Sequence, residues 1–256
     1  MMNSKIQHYI DLITVLTQKE MKVRYKSTFF GYLWSVAYPL AFALVFFIAF
    51  KVIMRIQIEN YALFLITGLF PWQWFANSVN ASPTVFLGNV SIIKKIDFPR
   101  NSLLIATVLQ DAIHFVLSIP VIILFLFLHD QYPSISWLYG IPILMGIQFL
   151  LTYGLSLMIS SINLFFRDLE RLTLILTTFL FYFTPIIYPE SMVPERYKIL
   201  FSITPLSPLM VSWRHLFLDG TFNPIFLTVS FGYSVLFFIM GSLIYRKLRW
   251  KFAEVL

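Results

Sequence analysis

The chain has 256 residues, of which 59% are hydrophobic and 12% charged, against about 25% charged in a typical soluble domain; this excludes an ordinary soluble enzyme or binding module and predicts an all-α integral membrane protein. The absence of cysteine excludes disulfides and thiolate metal sites. A net charge of +7 with pI near 9.5 would suggest nucleic acid in a soluble protein, but here the basic residues sit at the ends of apolar runs, where they anchor and orient helices.

Residues 1–30 predict a cytoplasmic amphipathic helix. Ser4 and Gln7 have capping-box spacing. Ile6, Ile10, Ile13 and Leu16 recur at helical spacing opposite Lys5, Gln7, Asp11 and Gln18, the pattern of a helix on the inner membrane surface. The first long apolar run begins only after Phe29 and is too long for the core of a cleavable signal peptide.

Six runs reach roughly the 20 residues that a membrane-spanning helix needs: 33–54, 61–82, 102–128, 138–161, 172–188 and 224–245. In the first, Trp34, Tyr38, Phe42, Phe46 and Phe50 follow one another at i+4 and share one face. Such a stripe either packs or offers ring faces to the C–H surfaces of sugars, and both readings stay open. Between the second and third runs, residues 83–101 form a charged cytoplasmic loop. There, Asn89 to Ile96 predicts two helical turns, and Pro99 holds Phe98 extended and stops them. Ile92, Ile93 and Ile96 would form an apolar knob flanked by Lys94, Lys95 and Arg100, either a plug for a groove on another protein or a snorkelling loop.

The third run carries Asp111 and His114, three apart, either a proton relay or a packing pair. Gly146, Gly154 and Ser161 of the fourth run predict close helix contact. The fifth opens on FFRDLERL, residues 165–172. Asp168 and Glu170 point in nearly opposite directions on a helix and cannot share an ion, whereas Asp168 with Arg171 and Arg167 with Glu170 form i,i+3 pairs. In residues 189–223, the run from Lys198 to Leu218 is broken by Pro205 and Pro208 and holds Arg214 and His215. It predicts two short re-entrant helices on the extracytoplasmic side. Charge selects this reading: six spans with cytoplasmic termini place fourteen of the nineteen basic residues inside, and a seventh span would put Arg246, Lys247, Arg249 and Lys251 outside.

No GxxxxGK[ST], HExxH or Gly-x-Ser-x-Gly occurs, and no internal repeat. The segments KEMKVRYKSTFFGYLWSVAYPL, IIKKIDFPR, NLFFRDLERL, TPIIYPESMVPERY and TPLSPL, in that order, resemble the membrane subunit of type-2 ABC exporters that move polysaccharides such as O-antigen, capsule and teichoic acid. The resemblance covers essentially the whole chain. It implies a homodimer of six-span subunits in the bacterial inner membrane, with both termini cytoplasmic and two copies of a separate ATPase that binds ATP and Mg. This chain would then carry no cofactor, catalytic residue or metal of its own. It further implies ATPase coupling through Ile92, Ile93, Lys94, Lys95, Ile96, Asp97, Phe98, Pro99 and Arg100. A lipid-linked polysaccharide would pass along Trp34, Tyr38, Phe42, Phe46 and Phe50, and an outer gate would lie at Pro205, Pro208, Trp213 and Arg214. Rival readings are a permease for a small lipid or drug, a proton-coupled carrier on Asp111 and His114, and a membrane glycosyl- or phosphosugar transferase. A carrier usually shows repeated halves, and a transferase would need clustered carboxylates.

Overall fold

The computed structural model describes residues 4–25, 31–55, 57–197, 199 and 204–252, and every regular element among them is helical. Residues 1–3 and 26–30 of the predicted first segment, 198 and 200–203 of the predicted gate, and the C-terminal 253–256 lie outside the described residues. The helices are α1 (Ser4–Tyr25), α2 (Trp34–Phe46), α3 (Tyr61–Gly88), α4 (Val90–Lys95), α5 (Asn101–Leu128), α6 (Trp137–Asn163), α7 (Leu169–Phe183), α8 (Ser207–Asp219) and α9 (Pro224–Leu248). α2 runs on through wider, π-type turns over Phe47–Ile53.

Among the described residues, four segments are long and apolar enough to cross a membrane: Val36–Ile53, Asn101–Leu128, Trp137–Asn163 and Pro224–Lys251. The other two predicted spans differ for distinct reasons. α3 has 28 residues but carries Pro71, Trp72, Gln73, Trp74 and Asn77, and most of its surface is covered by protein. α7 has only 15 residues, because Thr184 is extended and Pro185 follows it.

α3 is the central helix, and its two prolines are accommodated by α6. Gln148 Nε2 donates to the Pro71 carbonyl at 2.7 Å and Asn163 Nδ2 to the Pro83 carbonyl at 2.9 Å. Pro83 has no N–H for the carbonyl four residues earlier, and Ser82 Oγ takes that Val79 oxygen at 2.8 Å. The order of these contacts makes α3 and α6 parallel.

α6 and α9 are parallel as well. Ser234 Oγ donates to the Ile147 carbonyl at 2.9 Å, and seven residues further along both helices Gly241 lies against Gly154. A Cβ on Gly241 would stand 2.2 Å from the Gly154 oxygen, so the two backbones touch. The prediction for Gly154 is thus met, whereas Gly146 has nothing within 4 Å of its Cβ direction and supports no close contact. Ser161 is fully buried and donates to the carbonyl of Leu157 in its own helix at 2.6 Å. At the start of α7, Arg167, Asp168, Glu170 and Arg171 are all exposed. Neither predicted i,i+3 pair forms a salt bridge among the described residues, because hydration serves exposed charges as well as pairing does.

The buried apolar residues form two clusters. The larger joins α3, α5, α6 and α8 around Trp74, Phe115, Trp213 and Phe217. The smaller joins α1, the end of α3, α4 and the start of α5 with Phe252, around Leu16, Phe86, Ile93 and Leu104.

Candidate functional site

The loop after α3 is a short helix with a defined start and stop. Asn89 precedes α4 and bonds back to the Val85 carbonyl at 2.9 Å, while its Oδ1 accepts from Lys19 Nζ of α1 at 2.8 Å. α4 ends at Lys95, and Ile96 is extended with φ −130° and ψ 133°. The two turns are where the sequence puts them, but the helix already breaks at Ile96, two residues before the Phe98 that Pro99 restricts. The apolar knob is revised. Ile93 is only 8% exposed and belongs to the cluster of Leu16, Phe86 and Leu104, so it holds the loop to its own chain. Phe98 packs against the same cluster, and Ile92 and Arg100 are half-buried. The outward surface is Ile96, 60% exposed, with Lys94, Lys95, Asp97 and Pro99.

Residues 204–219 of the segment expected to form an outer gate make a closed hub. Pro205 lies just ahead of α8 and Pro208 in its first turn, where a missing N–H costs nothing. Trp213 is fully buried; its Nε1 donates to Gln148 Oε1 at 2.6 Å, and Gln148 in turn bonds the Pro71 carbonyl. Arg214 is buried too. Its Nη1 and Nη2 donate to the Pro185 and Ile186 carbonyls at 2.7 and 2.9 Å, and its guanidinium lies 3.7 Å over the Phe64 ring. A Cβ at Gly68 would stand 2.6 Å from Nη2, so the α3 glycine makes the room for this cation. Tyr61 Oη completes the set, donating to the Ile187 carbonyl at 2.8 Å. Neither Trp213 nor Arg214 faces an opening; together they tie the end of α7 to α3, α6 and α8. α8 closes on Gly220 at φ +65°, against Ser134 and Ser136 in the turn before α6.

The aromatic stripe is divided along its length. Trp34 and Tyr38 are exposed, the latter at 59%, and Phe42 is 37% exposed, whereas Phe46 and Phe50 are half-buried against the larger cluster. Neighbouring rings touch in sequence: Tyr38 to Phe42 at 6.4 Å, Phe42 to Phe46 at 4.9 Å and Phe46 to Phe50 at 6.0 Å between centroids. Phe181 of α7 joins them, 5.4 Å from Phe46 and 6.3 Å from Phe42, and Trp72 of α3 lies 5.5 Å behind it. Beside the stripe, α7 exposes Ile175, Phe179, Tyr182 and Phe183. Phe181 brings α7 against the stripe, while Phe179 and Phe183, two residues either side of it, point to the opposite side of that helix.

The sequence model of the ABC-2 type transporter family matches residues 11–218. The chain belongs to the ABC-2 type transporter family. It is 46% identical over 255 residues to the O-antigen export system permease protein RfbA of Klebsiella pneumoniae, covering 100% of this chain and 98% of that one. It is 30% identical over 256 residues to the RfbA protein of Myxococcus xanthus, with 98% and 97% covered. At 21% identity over 240 residues it is also similar to the polysialic acid transport protein KpsM of Escherichia coli, with 91% and 92% covered. The ABC-2 chain is therefore a multi-pass membrane transport subunit.

One pairing in this ABC-2 chain is missed by the sequence, which sets Asp111 beside His114. Asp111, 3% exposed, does hold a packing position, but its partner is Arg24 in the last turn of α1. Arg24 Nη1 donates to Asp111 Oδ1 at 2.6 Å, and Ser78 Oγ of α3 donates to Oδ2 at 2.8 Å. The available signal was the carboxylate in the third span and an arginine at the end of the helix before the first. Eighty-seven residues separate them, so no local rule pairs them.

Proposed function

We propose that the chain is the membrane subunit of an ATP-driven exporter of a lipid-linked polysaccharide of the O-antigen kind in the bacterial inner membrane. It would act as a homodimer with two copies of a cytoplasmic ATPase that binds ATP and Mg. The observation that carries the reading is the 46% identity to an O-antigen export permease over the whole chain. The exposed part of the α2 stripe suits it: two copies facing each other across it would enclose a path lined by Tyr38 and Phe42. Ile96 with Lys94 and Lys95 is the surface available to the ATPase. A proton-coupled carrier is disfavoured because both oxygens of Asp111 are already held, by Arg24 and Ser78.

Six spans with both termini cytoplasmic belong to the proposal, and the parallel course of α6 and α9 supports them. Between two parallel helices the chain must recross the membrane an odd number of times. α8 has 13 residues, about 20 Å, too short for a hydrocarbon core of about 30 Å, and it packs beside the first half of α6 through Trp137 and Gln148. The crossing then falls to α7 and the residues that follow it, and α8 is the returning leg of a re-entrant pair.

Two experiments test this. Cells carrying this chain as their permease, with its ATPase, should display the polymer at the surface and lose it when the ATPase cannot hydrolyse ATP; export that continues without hydrolysis would overturn the reading. In the cysteine-free chain, a cysteine at Ser191 should react with an impermeant thiol reagent from outside and one at Ser91 should not. The reverse pattern would overturn the topology.

A further inference from the structure

The Arg24–Asp111 pair links two regions that an exporter must keep in step, and the inference rests on the transport reading above. α1 is fastened at three places. Tyr9 Oη accepts from Asn101 Nδ2 at the start of α5, at 3.3 Å. Near its middle, Leu16 is buried in one cluster with Ile93 of α4, and Lys19 Nζ donates to Asn89 Oδ1 at the head of α4 at 2.8 Å. In its last turn Arg24 bonds Asp111, which lies ten residues into α5 and also bonds Ser78 of α3. Lys19 and Arg24 are five residues apart, about 7.5 Å along a helix axis. A short rigid stretch thus connects the head of α4 to a buried carboxylate shared by two of the long helices.

The seam between α1 and α5 is not packed shut. A groove of about 470 Å³ opens along it, lined among others by Ile13, Thr17, Met21, Leu109 and Ile113, the last two standing two residues either side of Asp111. Thr17 contributes no polar group to this seam, because its hydroxyl is spent on the Ile13 carbonyl at 2.8 Å. Asp111 points to the other side of α5 from Leu109 and Ile113, and with Tyr9–Asn101 the ion pair is one of two hydrogen-bonded ties between the helices among the described residues. Asp111 is buried but the Arg24 side chain is 40% exposed, and an ion pair with an exposed partner adds little net stability. A charge-assisted hydrogen bond adds a fixed direction and length.

We propose that Arg24 is a positioning residue for coupling: through Asp111 and Ser78 it passes a displacement of α4, carried by α1, to α3 and α5. The test uses the full complex with its ATPase in proteoliposomes supplied with the lipid-linked glycan, reading glycan moved per ATP hydrolysed beside the melting temperature. The variant is the double replacement Arg24→Met with Asp111→Leu, which removes both charges and keeps volume. Its melting temperature should match the parent, and glycan moved per ATP should fall about five-fold or more, the lower end of usual coupling energies. Arg24→Lys, which keeps a charged donor, should retain most of the ratio. A double variant with the parental ratio would overturn the proposal, and so would one that no longer assembles, since the pair would then serve stability alone. Failure of the unaltered complex to move glycan with ATP would instead refute the transport reading.

Discussion

Trp213 with Arg214, and Tyr38 with Phe42, both stand out in the sequence as parts of a transport path, yet the structure treats them in opposite ways. Around Arg214 every feature is spent on holding the fold: two carbonyls at the end of α7, the Phe64 face, the space at Gly68, and next to it the Trp213–Gln148–Pro71 chain of hydrogen bonds. Tyr38 and Phe42 keep much of their surface uncovered, and Phe42 touches Phe46 and Phe181 as well as Tyr38. In a chain this apolar, composition does not separate a structural aromatic or cation from a functional one. Burial and satisfied hydrogen bonds do.

The largest expected effect is at the hub. Trp213→Ala should cost about 3–5 kcal/mol, the usual range for emptying a buried tryptophan site. Arg214→Met should cost a comparable amount, because it leaves the Pro185 and Ile186 carbonyls without donors in a water-poor interior. Both variants should lose assembled protein, melting temperature and export together. Export lost at full protein level would mean that the hub moves during transport. Next comes the loop after α3, where the same chemistry at two neighbouring positions should give opposite outcomes. Ile93→Asp puts a carboxylate into the chain's own cluster, at a cost of several kcal/mol, and should remove the protein. Ile96→Asp should leave melting unchanged and weaken capture of the ATPase. Equal ATPase capture by Ile96→Asp and the parent would exclude this face as the docking surface.

Local physics explains which parts were legible in the sequence. The two turns of α4 between charged and proline-stopped residues, and a close contact of α6 at Gly154, are legible because a proline and a glycine act within a few residues. Gly146 looks the same in sequence and does nothing, since what a glycine is for depends on which helix comes near. The pairs that organise the core, Arg24 with Asp111, Gln148 with Pro71 and Trp213, and Arg214 with Pro185, join residues between 29 and 87 positions apart. Helical periodicity gives each side chain a face but not a partner. For the same reason Ile93 reads as part of an outward knob: its own helix is short, and the residues that bury it come from α1, α3 and α5.

A smaller effect is expected where α6 meets α9. A methyl group at Gly241 would stand 2.2 Å from the Gly154 oxygen, so Gly241→Ala should force the helices apart and cost roughly 1–3 kcal/mol, the scale of overpacking. Gly146→Ala, with open space ahead of it, should leave melting and export at the parental level. A shared loss in both variants would mean that small residues matter to α6 for reasons other than this contact.

The smallest effect on stability, and the most informative for function, is on the stripe itself. Its rings are graded from Phe46, held by Phe181 and the core, through Phe42, to Tyr38, whose ring is mostly uncovered. If burial alone governed them, truncation to Ala should lower the melting temperature in that order, with Phe46→Ala approaching the roughly 3 kcal/mol at the lower end for a buried ring and Tyr38→Ala close to zero. A wall that carries a sliding polymer should show the opposite order in export per unit of assembled protein, because the rings with most free surface have most to offer the sugar. Tyr38→Ala and Phe42→Ala should therefore impair export while melting normally. Phe42→Tyr should be tolerated, since it keeps the ring face. Basal ATP hydrolysis should persist in each, as the α4 surface is untouched. Export that falls only in step with melting temperature across the three alanine variants would return the stripe to ordinary packing, and the uncovered rings of α7, Phe179, Tyr182 and Phe183, would then be the wall to test.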